Sequence, residues 1–431
     1  MIGKSKDDFE AIARQVALFA DQDGQAALID RLVTSHLEPV REPESGFVRP
    51  AVRRLRRDGG SVFVSPGQIL VRTEHAPAAR DLLDARFTGP DPVTCDGTPL
   101  PISRFRATVA DDTLAEAIDE LYAAGIAANF SHITPSGPYI KGSGGPEYPH
   151  GQPPEYESRR DGCDDDRAVR VAVIDTGINV TKTDWHDSWL RDIAIATANT
   201  DPLRAVRADG LLDSGAGHGT FVAGIIRQIA PNARVEVLRA LDSDGLGSEE
   251  AVACAILRAA ERADIINLSL GTDTYKDRPP VALEAALELI PEHVVVIAAA
   301  GNDGSERPNW PAAFKRVTAV AGLDADLKPT KWSNHGSWVN LSTQGEGIVS
   351  TYVVGTEASD PDADGPETFD GPRPWALWTG TSFAAPQIAG LLARDGRVGE
   401  LQQALADLIA GGAHVAGWGS VVPCQLAYSH V

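Results

Sequence analysis

Four near-continuous apolar runs constrain this chain more than any other feature: "VRVAVID" at 169–175, "ARVEVLRAL" at 233–241, "ADIINLSL" at 263–270 and "VVVIAAAG" at 294–301. A strand with one wet face alternates apolar and polar residues, so runs apolar on both faces belong to strands covered on both sides, as in parallel sheets. Helical stretches separate the runs, among them "EEAVACAILRAAERA", for which Ser248 is the expected N-cap. The prediction is a doubly wound, mainly parallel α/β domain over residues 169–395, with ligands beyond the carboxyl ends of its strands. Residues 396–431 are expected to add a helix and a tail packed on that domain.

The remainder of the 431 residues divides into three parts. Residues 1–60 read as a helical leader and a basic segment: Phe9, Ile12, Val16 and Phe19 recur at helical spacing, and "RPAVRRLRRDGG" at 49–60 reads as a solvated face or a seam against acidic surface of the same chain. Residues 61–134 switch period repeatedly. "QILVR", "ISRFRATV" and "AANFSHIT" read as strands, Ala79, Leu82, Leu83 and Phe87 as one helix, and Leu114, Ile118, Leu121 and Tyr122 as another, giving a small β-α-β-α-β module. Residues 135–168 are rich in Gly, Pro and charge without periodicity and read as a linker.

A net charge of −21 argues against nucleic acid and anionic membrane surfaces as partners, since both are polyanions. Acids among the first ten residues and no apolar core in the leader predict no secretory signal, and no apolar run approaches the ~18 residues of a membrane span, so a cytoplasmic location is expected. Cys95, Cys163, Cys254 and Cys424 form no CxxC pair; they are expected to be reduced thiols, with Cys254 serving only to pack its helix.

Three polar residues stand where the sheet should place chemistry. Asp175 closes the first apolar run, His218 sits among glycines in "GAGHGTFVAGII" at the start of a helix, and Ser382 stands at a helix start in "GTSFAAPQIAG". Together they supply what acyl transfer needs: a serine to attack, a histidine to move its proton and an aspartate to hold the imidazole. Their chain order, Asp then His then Ser, is that of the subtilisin triad.

At this point the sequence resembles the subtilisin-like serine proteases over about residues 169–395. Four blocks match in register: "DTG" at Asp175, "GHGT" with "VAG" at His218, "NLSLG" with "AAAGN" at 267–271 and 298–302, and "GTS" with "AAP" at Ser382. The resemblance implies a subtilisin-like α/β domain and peptide-bond hydrolysis of polypeptide substrates through an acyl-enzyme, with Asn302 and the Ser382 amide as oxyanion donors and no cofactor. It further implies two peptide-binding edges, Gly245, Leu246 and Gly247 on one side and Ser269, Leu270 and Gly271 on the other, with Ala299, Gly301 and Asn309 at the first specificity pocket. Such edges bind peptide by strand addition, which argues against a small-molecule esterase; the alternative is a catalytically silent peptide-binding scaffold of the same fold. Asn309 stands where the family commonly has glycine, which implies a shallower, more polar pocket. Phe221 replaces a family histidine, and Phe383 a family methionine. Structural calcium is known in relatives, but "DPDADG" at 360–365 lacks the closing glutamate of a calcium loop, with Gly371 in its place, so no metal site is assigned. By the same resemblance the 61–134 module is propeptide-like, with Arg159 and Arg160 in the linker as a processing site. It is expected to be retained, or slowly removed, as an intramolecular regulator of the protease.

Overall fold

The computed structural model describes residues 4–57, 60–135, 145–149, 168–179, 190, 193, 196–206, 209–357, 366–370 and 374–424. The four apolar runs form neighbouring strands of one eight-stranded sheet, in the order 413–415, 419–421, 341–344, 318–323, 295–299, 265–268, 170–175, 234–239. All pairings are parallel except the outer 413–415 strand. Helices His218–Ile229 and Thr381–Asp395 pack on one face, Glu249–Ala260 and Val281–Leu289 on the other, so two large apolar clusters sandwich the sheet. This double cover is why the strands are apolar on both faces. Helix Leu401–Gly411 packs against helix Thr381–Asp395, and the strands after it extend the sheet. Among the described residues no helix is long and apolar enough to cross a membrane.

The N-terminal module departs from the expected β-α-β-α-β order. It runs strand 60–72, helix Ala76–Leu82, strand Phe87–Cys95, strand Thr98–Ala107, helix Asp111–Ala123, strand Ala128–Pro135, with every strand pairing antiparallel. The additional strand, "FTGPDPVTC", contains a glycine and two prolines that read as turn residues. It is the outer strand of its sheet, where missing N–H donors are tolerated. Phe87 opens this strand instead of continuing the helix, and Leu82 is exposed.

The sheet does not end within the module. Strand Ala128–Pro135 pairs antiparallel with Leu246–Ser248 of the main domain, Gly247 opposite Thr134. The leader seals the joint: Leu32, Val52, Phe63, Ile133 and Leu246 form one buried cluster, His36 Nε2 lies 2.8 Å from Asp242 Oδ2, and the fully buried Arg239 guanidinium holds Glu42 at 2.8 Å. In the basic segment, Arg53 pairs with Asp111 and Arg54 with Asp30, acids of the leader and module, so this stretch is an internal seam.

The expectation of free thiols is corrected at two positions. Cys95, ending the outer strand of the module, is disulfide-bonded to Cys254 on helix Glu249–Ala260, across 159 residues of sequence. Spacing carries no information about a pairing made where two distant segments of the chain pack together. Cys424 is a buried free thiol, pushed up to about 11 by burial; Cys163 lies outside the described residues.

Candidate active site

Each of the three polar residues is presented by a strand or helix end. Asp175 closes strand 170–175, fully buried, and its Oδ1 accepts from the Thr176 amide at 2.7 Å. Both its carboxylate oxygens face His218 Nδ1, at 2.8 and 2.9 Å. His218 is the first residue of its helix, capped by Gly217 at φ 79, a left-handed conformation that glycine adopts without cost. Gly219 lets that helix touch the strand end, since a Cβ there would collide with the Gly177 carbonyl.

Ser382 is the second residue of helix Thr381–Asp395, where unpaired amides gather. Its Oγ donates to the Ser269 carbonyl at 3.1 Å, and its own carbonyl accepts from Ser269 Oγ at 2.7 Å. That carbonyl is free to do so because the residue four positions on is Pro386, which has no N–H to give it. Proline inside the helix therefore fixes the turn of Ser382 to the 269–271 segment.

Asn302 completes the geometry. Its Oδ1 accepts from the Thr381 amide and hydroxyl, both at 2.9 Å, which orients the side chain and leaves Nδ2 buried without a partner among the described residues. A buried donor without an acceptor is costly, about 1–3 kcal/mol. That donor lies next to the turn that carries Ser382.

Aromatic rings enclose the imidazole. Trp378 and Phe383 lie 5.4 Å from the His218 ring, and Phe221 lies 4.7 Å from Phe383. The two departures at Phe221 and Phe383 are thus one packed pair. The pocket residues also converge: Asn309 is buried between Gly271 and Gly301, and a Cβ on Gly271 would collide with Asn309 Oδ1. Its Nδ2 donates to Asp273 at 3.3 Å while Oδ1 has no partner among the described residues. Asn309 fills the space its glycine neighbours vacate, and Ala299 ends strand 295–299 beside them.

The structure also brings in residues the sequence reading passed over. Asp201, fully buried in "NTDPL", accepts from the Gly217 amide at 2.8 Å and the Thr176 hydroxyl at 3.1 Å, tying the strand end of Asp175 to the cap of the His218 helix. Burial, offset in part by the Gly217 and Leu203 amides, pushes its carboxyl up to about 6. Gln15, from the leader, accepts from Thr379 Oγ1 at 2.7 Å and donates to the Leu377 carbonyl at 2.9 Å, just before the turn that carries Ser382. Neither carries a motif; Gln15 is a polar residue on the buried face of its helix, and Asp201 has no signal near it in sequence. The acidic loop 360–365 and most of the linker, with Arg159 and Arg160, lie outside the described residues.

Residues 166–395, just over half of the chain, match the sequence profile of the subtilase family. The chain belongs to the subtilase family. Its relatives include a thermophilic serine proteinase of Bacillus sp. (strain AK1), 34% identical over 259 residues, covering 56% of this chain and 57% of that protein. Thermitase of Thermoactinomyces vulgaris is 32% identical over 243 residues, covering 53% of this subtilase and 76% of the relative. The major intracellular serine protease of Bacillus subtilis (strain 168) is 30% identical over 241 residues, covering 52% and 67%. This subtilase thus spans little more than half the length of the first of these relatives, and the match leaves its N-terminal module uncovered.

Proposed function

We propose that this subtilase is a serine endopeptidase held in check by its own N-terminal module. The observation that carries the catalytic part is the unpartnered, buried Asn302 Nδ2 beside a serine at a helix N-terminus and an Asp–His pair at 2.8 Å. In the proposed cycle, Ser382 Oγ leaves the Ser269 carbonyl, passes its proton to His218 Nε2 and attacks the scissile carbonyl. Asp175 holds Nδ1–H and stabilises the imidazolium. Charge building on the carbonyl oxygen is met by Asn302 Nδ2 and the Ser382 amide. His218 then protonates the leaving amine, and water, activated by the same imidazole, frees the acyl-enzyme. Every group in this cycle belongs to the chain, so no cofactor enters it.

Support for restraint comes from what occupies the peptide-binding edges. Leu246 and Gly247 are paired with the module's Pro135 and Thr134, and the Gly271 amide donates to the Pro135 carbonyl at 3.0 Å. A polypeptide substrate adding as a strand would need these same backbone groups. His218 and Ser382 are 1% and 0% exposed, so neither is open to solvent in this arrangement. The test is covalent labelling of the full chain with a fluorophosphonate alongside Ser382→Ala, read by intact mass. Adduct at Ser382 in the wild type supports a competent nucleophile; no adduct, even after cleavage within residues 136–168 and reduction of the Cys95–Cys254 disulfide have freed the module, would sink the catalytic reading.

A further inference from the structure

The disulfide crosses the one joint that release of the module would have to open. Cys95 belongs to the module's outer strand and Cys254 to the helix that follows the Leu246–Ser248 edge. The polypeptide connection between the two units runs through residues 136–168, the stretch proposed for processing. Among the described cysteines this is the disulfide the chain contains. Hydrolysis of the connection alone therefore leaves module and protease joined as one molecule.

We propose that Cys95–Cys254 is a reducible latch: the module stays on the substrate edge after the connecting segment is cut, and leaves only when a dithiol reductant opens the disulfide. This rests on the reading of the module as a restraint.

The energetic reason is effective concentration. A tethered partner faces its site at about millimolar concentration, whatever the dilution of the molecule. A module with an affinity of ~1 µM would be ~99.9% docked while tethered, yet mostly free at ~10 nM protein once untethered. The noncovalent joint is broad but wet at its rim: Arg72 with Glu284 and Glu288, Arg104 with Glu250, Arg258 with Asp96. The more exposed of these pairs contribute little individually, and the buried contacts of Leu70, Leu100 and Ile102 with Val252 and Ile256 hold the module only as long as it stays at high effective concentration, which after a cut the disulfide alone maintains.

Access exists for the chemistry. Cys254 is half-buried, and a cavity of about 640 Å³ is lined by Cys95, Cys254, Arg104, Arg258, Ser248 and Pro66. A thiolate of the reductant attacks one sulfur, forming a mixed disulfide and releasing the other cysteine as thiolate. The reductant's second thiol then displaces the remaining cysteine. Two electrons pass to the protein, the two protons of the dithiol end on Cys95 and Cys254, and the reductant leaves as a cyclic disulfide.

The experiment uses the full chain, purified without reductant, carrying the recognition sequence of a site-specific endopeptidase after residue 160. Hydrolysis of fluorescent casein is compared for uncut and cut protein, with and without dithiothreitol, in wild type and Cys254→Ala. The expected result is a cut wild type that migrates as one species on a non-reducing gel and stays within ~2-fold of the uncut rate. Dithiothreitol then raises its rate at least ~10-fold and separates the fragments on gel filtration, whereas cut Cys254→Ala is already at the high rate without it. A cut, oxidised wild type as active as the reduced one overturns the latch while leaving the restraint intact, and so does peptide mapping that finds Cys95 and Cys254 free in the purified chain. If cutting and reduction change nothing in either protein, the restraint reading falls and takes the latch with it. Far-UV circular dichroism reports that each variant is folded, and Cys95→Ser repeats the comparison from the other side of the bond.

Discussion

Pro386 does its work by an absence. Without its N–H, the Ser382 carbonyl turns to Ser269, and the turn of Ser382 is locked to the 269–271 segment, the edge proposed to bind peptide. Removing the hydroxyl by Ser382→Ala is expected to lower turnover about 10⁶-fold, as loss of the nucleophile does in enzymes of this kind, measured on cut, reduced protein. Asn302→Ala should cost about 10² to 10³ in kcat, some 3–4 kcal/mol, with KM nearly unchanged, because Nδ2 meets charge that exists only in the transition state. An equal rise in KM would mean that Asn302 binds ground-state substrate instead. At Asn309, a buried side chain sits between Gly271 and Gly301, where the first specificity pocket is proposed. Asn309→Gly should raise kcat/KM for peptides with a large apolar residue before the cut by ~10-fold or more over small ones, assayed with paired peptide substrates. These residues were legible because each sits inside a short block whose spacing is local. Asp201 was not legible: its partners, Gly217 and Thr176, lie on two other segments, and nothing near it in sequence signals that.

Among the elements, the 128–135 strand decides most. All eight of its residues are buried although its sequence is mixed, because both of its edges are paired, one with strand 60–72 and the other with Leu246–Ser248. Ile133 shares its cluster with Leu32, Val52, Phe63 and Leu246; Ile133→Glu should weaken docking by a few kcal/mol and raise casein hydrolysis by the uncut chain, whereas an unchanged rate would show that this strand does not limit access. The His36–Asp242 contact adds a pH dependence. Burial opposes charge on His36, but the Asp242 hydrogen bond, with the Asp242 and Asp244 charges and the Leu32 carbonyl, outweighs it and raises the ring from 6.5 to about 9. A raised folded pKa means stability that is full below about 6.5, falls through the interval up to about 9 and is gone above it. The melting temperature of wild type minus that of His36→Asn should follow that curve; a difference that grows with pH would contradict it. Strand 87–95 shows the opposite lesson to the four apolar runs. A buried parallel strand writes its environment into every residue, whereas an outer strand with one unpaired edge accepts glycine and proline and so imitates a loop.

At the scale of the whole molecule, the sequence by itself determined the doubly wound domain and the positions of Asp175, His218, Asn302 and Ser382. Burial on two faces and helix starts are imposed locally, on consecutive residues, and local patterns are what a sequence displays. Tertiary structure alone decided that the 128–135 strand lies on the Leu246–Ser248 edge, that Cys95 meets Cys254, and that Gln15 braces the turn before Ser382. Backbone pairing accepts almost any side chain, and a disulfide requires only that two sulfurs arrive together. Neither leaves a mark on the residues nearby in sequence, so the docking of one folded unit on another had to be seen in three dimensions.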